Sequence, residues 1–266
     1  MVRFNLVFSF IFVLALTSVG LSQEQGGGAA EMARKLQDPL ANISAFMTDN
    51  DLQFRSGKEE DTTSYSFQLQ PVYAFDFPDQ GFTFLPRAVI PVIGAASGSN
   101  LKYTGITPEA GGTTWGLSDI VNHFFFAHKI DGSWKCGLGP QLSWKTRTDD
   151  IVGGPGWGAG LSWVVVVSVN KQISFASIIN QLWSYDGYYS TMGFQPNLYY
   201  NLQSIEGAFI AYNSTITANW KASSDDVWTV PLGLYTGKMF DLGGGYGVEV
   251  GLGPYWNVIN PDGAAD

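Results

Sequence analysis

The sequence predicts an all-β chain: an antiparallel, up-and-down transmembrane β-barrel of twelve strands in its complete form, about eleven of which are carried here. Three observations predict it. The first is residues 133–145, where Trp134, Cys136, Leu138, Pro140, Leu142 and Trp144 are apolar and the residues between them are polar or glycine. A strand sends alternate side chains to opposite faces, so one face is oily and the other wet. The two tryptophans bound the oily face ten residues apart. At ~3.3 Å per residue and a tilt near 40° they enclose about 25 Å of height, that of the apolar band on an outer-membrane barrel.

The second observation is composition. Only 14% of residues are charged, against about 25% in soluble domains. Aromatic residues make up 15%, and there are 32 glycines. Few charges suit an outer surface in lipid, and glycine suits strands that bend. The third is spacing. Strands of about twelve residues recur with connections that are alternately tight and mostly longer, as in barrels with short periplasmic turns and long external loops.

The elements follow in order. Residues 1–22 read as a signal peptide: Arg3 supplies the positive start, residues 4–19 are mostly apolar, and Gly20 and Ser22 are the small residues of a cleavage site. Residues 23–42 form a glycine-rich spacer and one short helix over Ala29–Leu36, ended by Asp38-Pro39. From there to residue 266 the period is two. Strands are expected near 43–54, 64–75, 82–93, 115–127, 133–145, 157–169, 172–184, 190–202, 207–220, 227–240 and 246–258. Eleven is odd, whereas bacterial barrels close on an even number, so a twelfth, C-terminal strand is expected beyond this chain.

Charge and motifs exclude several function classes. A net charge of −9 argues against nucleic acid. The single cysteine, Cys136, excludes an internal disulfide and a cysteine zinc site. The two histidines, His123 and His128, have no metal-ligand spacing. Ser118 and His123 are of opposite strand parity, so they do not form a nucleophile and its base. Gly153-Gly154 and Gly243-Gly244-Gly245 are turns, since no phosphate-loop lysine follows them. No catalysis, cofactor or metal is expected.

The inward register collects Arg87, Lys135, Gln141, Lys145 and Glu249 as pore-lining residues. Asp119 and His123 join them if the fourth strand turns Phe124 and Phe126 to lipid, but Trp115, Val121 and Phe125 then point inward, so that register stays open. Trp134, Trp144, Trp157, Trp183, Trp220, Trp228 and Trp256 recur near strand ends as aromatic girdles. The acidic clusters Glu59-Glu60-Asp61, Asp149-Asp150 and Asp225-Asp226 fall in outer loops, where carboxylates suit either solvation or divalent cations among lipopolysaccharide.

Ordered strings add to this pattern. Asp38-Pro39-Leu40-Ala41-Asn42, Arg87-Ala88-Val89-Ile90-Pro91-Val92, Gly116-Leu117-Ser118-Asp119-Ile120 and Gly156-Trp157-Gly158-Ala159-Gly160 are among them, as are Trp228-Thr229-Val230-Pro231-Leu232-Gly233 and Pro261-Asp262-Gly263-Ala264. Together, over about residues 31–266, they resemble the bacterial outer-membrane "transporter" β-barrels, similar to the outer-membrane proteins of the phenol-degradation MetA pathway. Members continue past Pro-Asp-Gly-Ala through a tryptophan-rich last strand, which is absent here. The resemblance implies an outer-membrane barrel that passes small or aromatic solutes, with lipid and lipopolysaccharide around it, and it supplies no binding residues. A plugged structural or adhesive barrel acting through its acidic loops is the alternative. The parity predicts that Leu142→Arg costs about 2–4 kcal/mol near the bilayer midplane, while Gln141→Arg, one residue away, is tolerated and alters conductance. Equal tolerance of both in a folding assay would contradict the register.

Overall fold

A computed structural model of the chain describes residues 7–16, 28–56, 62–96, 113–129 and 134–261. The glycine-rich spacer, the cleavage site, Glu59-Glu60-Asp61, most of loop 94–114 and the last five residues lie outside the described residues. Among the described residues the chain folds into one antiparallel sheet of sixteen strands. In chain order these are β1 (Val7–Leu16), β2 (Ser44–Ser56), β3 (Thr62–Val72), β4 (Phe75–Phe77), β5 (Phe82–Ala96), β6 (Thr113–Leu117), β7 (Ile120–Lys129) and β8 (Trp134–Trp144). They continue with β9 (Gly158–Ser168), β10 (Ile173–Ser184), β11 (Ser190–Asn201), β12 (Ala208–Tyr212), β13 (Ile216–Asn219), β14 (Trp228–Gly233), β15 (Tyr235–Gly243) and β16 (Tyr246–Ile259). One helix, α1 (Ala29–Leu36), precedes β2.

Four staves of the wall are each interrupted once, as β3/β4, β6/β7, β12/β13 and β14/β15, so the sixteen strands make twelve staves. Eleven of these correspond one to one to the strands expected from period two. The twelfth position is taken by β1, which pairs with β16 from Val7↔Tyr255 to Leu16↔Tyr246 and with β2 from Val7↔Gln53 to Leu16↔Ser44. The sheet thereby returns to its first strand. β1 lies within the stretch that reads as a signal peptide, and it runs in the direction that a hairpin continuing from β16 would take.

The wall alternates as a two-sided sheet must. On β8 the outward Trp134, Leu138 and Trp144 are exposed, and the inward Gly137, Gly139, Gln141 and Ser143 are buried. The same alternation exposes Leu161 and Trp163 on β9 and Val250 and Leu252 on β16. Large apolar side chains thus cover the outside around the ring, which suits hydrocarbon and not water.

Interruptions fall where the ladder loses donors or gains a residue. Proline lacks an amide hydrogen, and at two breaks the chain opposite donates to a proline carbonyl. Tyr73 N bonds Pro86 O at 3.2 Å, and Ser118 N bonds Pro91 O at 2.9 Å. At the second break, Val92 pairs with Leu117 and Val89 with Val121, so three residues of the β6/β7 stave face two of β5. This β-bulge reverses the parity. Trp115 points out on β6, while Phe126 points out and Phe125 in on β7. The open register of the fourth strand is resolved this way: Trp115 and Phe126 both face lipid, on either side of an inserted residue, and Phe125 faces inward.

The bulge also anchors a loop. The Asp119 side chain, fully buried, accepts Thr146 N at 3.0 Å, Arg147 N at 3.1 Å and Gly156 N at 2.6 Å. Arg147 Nη1 lies 3.4 Å from its carboxylate, and Ser118 Oγ donates to Gly153 O at 2.7 Å. Gly154, at φ 144°, passes so close that a Cβ would strike the Asp119 carboxylate, which only glycine permits. The loop between β8 and β9 is therefore folded down on the wall. Asp119→Ala, which strips three amides of their acceptor, is expected to lower stability by about 2–4 kcal/mol. Urea unfolding in detergent checks this, and an unchanged midpoint would contradict the clamp.

Candidate functional site: the lumen

The inside of the ring is built in two halves. Toward the short-turn end, Leu85, Phe125, Val164, Val166, Ala176 and Ile178 pack around Leu40. A second cluster of Phe209, Ala211, Tyr235 and Tyr255 covers the inner faces of β12, β15 and β16. The floor between them is the N-terminal segment itself. In α1, Met32 and Ala33 pack on Met239, and a Cβ at Gly247 would fall onto Met32 Sδ. The chain then passes through Gln37, whose amide exchanges hydrogen bonds with Asn201 at 2.8 and 3.0 Å, and Asp38, bound to Lys135 Nζ at 2.5 Å. The helix that the sequence places ahead of the barrel lies inside it, at the end where the turns are short.

Above this floor is a cavity of about 460 Å³. Its polar wall comes from β2 (Asp49, Asp51, Gln53), β3 (Gln68, Gln70), β5 (Arg87), β11 (Gln195, Asn197, Tyr199) and β16 (Glu249, Tyr255, Asn257). Its apolar wall is Leu85, Phe125 and Ile178. Much of the polar wall is committed. Arg87 donates to Gln70 Oε1, Gln70 Nε2 donates to Gln68 Oε1 at 3.0 Å, and Tyr255 Oη donates to Asn213 Oδ1 at 2.6 Å. Three groups are not. Asp49 Oδ1 and Arg87 Nε are buried without a hydrogen-bond partner. Glu249 is 7% exposed, and no hydrogen bond or ion pair reaches it from the described residues.

Of the pore-lining set expected from parity, Arg87 and Glu249 line this cavity. Lys135 holds the floor through Asp38, and Asp119 holds the outer loop. His123 and Gln141 share a buried chain in the packed half: Ser162 Oγ lies 2.9 Å from His123 Nδ1 and donates to Gln141 Oε1 at 2.7 Å. Arginine at 141 would break that chain, so the tolerance expected for Gln141→Arg does not suit this interior. Lys145 follows the end of β8 and is exposed. Sequence reading passed over Asp49, Asp51, Tyr199 and Tyr255, although the parity of β2, β11 and β16 turns all of them inward.

The tryptophans stand outside the ring. Trp144, Trp157, Trp183, Trp220 and Trp228 are exposed at the long-loop end, together with Trp115, and Trp256 is half-buried there. Trp134 is exposed at the short-turn end, where Tyr73, Phe75, Phe77 and Phe82 form the other aromatic zone. Edge-on pairs join Trp144 to Trp157 at 5.6 Å and Trp220 to Trp228 at 5.8 Å. The acidic loop pairs serve the loops themselves: Asp149 accepts Ile151 N, Asp150 pairs with Arg147, and Asp226 accepts Ser223 Oγ.

No protein-family model and no curated protein matches the chain. Solved structures do. The COG4313 outer membrane channel from Pseudomonas putida F1 superimposes with a TM-score of 0.51 at 11% identity, over 97% of this chain and 96% of that one. A TodX mutant, a monoaromatic hydrocarbon channel, gives 0.39 at 8% identity over 96% and 89%. A Pseudomonas aeruginosa FadL homologue gives 0.36 at 9% identity over 96% and 90%. The first of these shares the fold, so the chain is a β-barrel of the outer-membrane type.

The floor yields a prediction. Replacing both Lys135 and Asn201 by alanine removes its two polar tethers and is expected to speed tryptic cleavage at Arg34 and Lys35 about tenfold, leaving the wall intact. Cleavage at the wild-type rate would show that the apolar contacts of Met32 and Leu40 suffice.

Proposed function

We propose that the chain is a passive outer-membrane channel for small solutes that carry an apolar or aromatic portion, and that it performs no catalysis. The observation that carries this reading is a cavity of about 460 Å³, lined by polar and apolar side chains together, inside a ring whose outer face is apolar. That volume falls in the range of sites for small organic molecules, ~300–1,000 Å³. The fold shared with an outer membrane channel supports the same reading, as does the resemblance of the ordered strings to outer-membrane "transporter" barrels. Lipid and lipopolysaccharide are its surroundings in this account, and residues 1–22 are the leader that brings it there. The mass of the protein isolated from outer membranes tests the leader: a chain starting at Gln23 agrees, and one retaining Met1 would make β1 a permanent stave.

A second reading, a plugged structural barrel, is favoured by the packing of α1, Leu36 and Leu40 across the floor. Planar bilayers separate the two. The folded, exported protein is expected to give steady ohmic steps; a folded but silent barrel would overturn the channel reading in favour of the plug.

A further inference from the structure

Glu249 is the fourth residue of β16, nearly all of its surface removed from water, with no donor among the described residues to meet its carboxylate. A buried charge without a partner is costly, and such groups persist where something else completes them. Here that completion has a place to sit, because Glu249 lines the cavity. Two staves along the same wall, Asp49 carries a second, buried carboxylate oxygen without a donor.

The charge balance of the lining points one way. Lys35 is paired with Glu31, and Asp38 with Lys135. Among the described residues without such a pairing, that leaves Asp49 and Glu249 against the guanidinium of Arg87. Tyr199 and Tyr255 line the same space, and the face of an aromatic ring attracts a cation. Their own surroundings hold them in place: Tyr199 packs edge-on to Phe209 at 5.5 Å, and Tyr255 to Tyr212 at 6.1 Å. Among the described residues no group of three or more His, Cys, Asp or Glu stands close enough to hold a metal ion. With Leu85, Phe125 and Ile178 facing them, the carboxylates suit a cation that carries an apolar body.

We propose that the lumen selects small organic cations, specifically a protonated amine on an aromatic or short alkyl body, with Glu249 as the residue that takes the ammonium and Asp49 and the two tyrosines as its surround. This rests on the channel reading above and names the solute class of that same cavity.

The test uses the full exported protein in planar bilayers under salt gradients of benzylammonium chloride and, separately, sodium benzoate. The reversal potential is expected to show that benzylammonium permeates about tenfold better than benzoate. Glu249→Gln is expected to bring that ratio near unity while ohmic steps persist, and Asp49→Asn to lower it less. Ohmic steps with equal or reversed preference in the wild type would overturn the cation assignment and leave the channel standing. An unchanged ratio in Glu249→Gln would also overturn it. A folded, silent wild-type protein would overturn both readings together. Should Glu249→Gln fail to insert, the wild-type reversal potential and the Asp49→Asn variant still decide.

Discussion

Every amide and carbonyl of a strand in hydrocarbon needs a partner within the protein, because lipid offers none, and the rest of this structure follows from that constraint. It forces each stave to have two neighbours and the sheet to return on itself, as it does through β16, β1 and β2 while the proposed leader is attached. It also governs the interruptions. Where proline removes a donor or a residue is inserted, the chain re-pairs within a residue or two, as Tyr73 does with Pro86 and Ser118 with Pro91. The β6/β7 bulge goes further and turns two consecutive residues, Ser118 and Asp119, inward, where they hold the loop between β8 and β9.

A closed ring of twelve staves leaves an interior that is largely filled, and the manner of filling decides what the barrel can do. The short-turn half resembles the core of a soluble protein, with Leu40 and Met32 of the N-terminal segment acting as its central side chains. The remaining space is not oily. Glutamine, asparagine, tyrosine and the carboxylates of Asp49 and Glu249 line it together with the guanidinium of Arg87, beside apolar residues. On the channel reading, a solute path gives a use to the buried Glu249, which meets no donor among the described residues. The floor and the cavity therefore belong to one design: the first shuts the lumen at the short-turn end, and the second holds a space open above it.

Much of this was legible in the sequence, for reasons that can be named. Period two marks a strand between lipid and lumen more sharply than one in a soluble sheet, so β8, β11 and β16 were placed within a residue or so of their ends. The breaks were not seen, because a bulge adds one residue without disturbing composition. Its trace was present nonetheless: Trp115 and Phe126 occupy opposite parities of one predicted strand, a conflict that only an inserted residue removes. The inward charges were read from strands with clear alternation, which found Arg87 and Glu249. On β2 the outward Thr48 and Asn50 are polar as well, so Asp49 and Asp51 did not stand out. The roles of Lys135 and Asp119 depend on partners 97 and 28 residues away, which no local pattern reports.

The central claim is that one continuous wall presents alternate residues to lipid and lumen, with the phase of the β6/β7 stave reversed at Ser118-Asp119. A spin-label scan along residues 113–129 in lipid, on a chain whose Cys136 has been replaced by serine, tests it most directly. The account predicts oxygen accessibility that peaks at Thr113 and Trp115, then at Asn122, Phe124 and Phe126, with the phase slipping by one residue between the two sets. An unbroken alternation through Ser118-Asp119, or none at all, would contradict it.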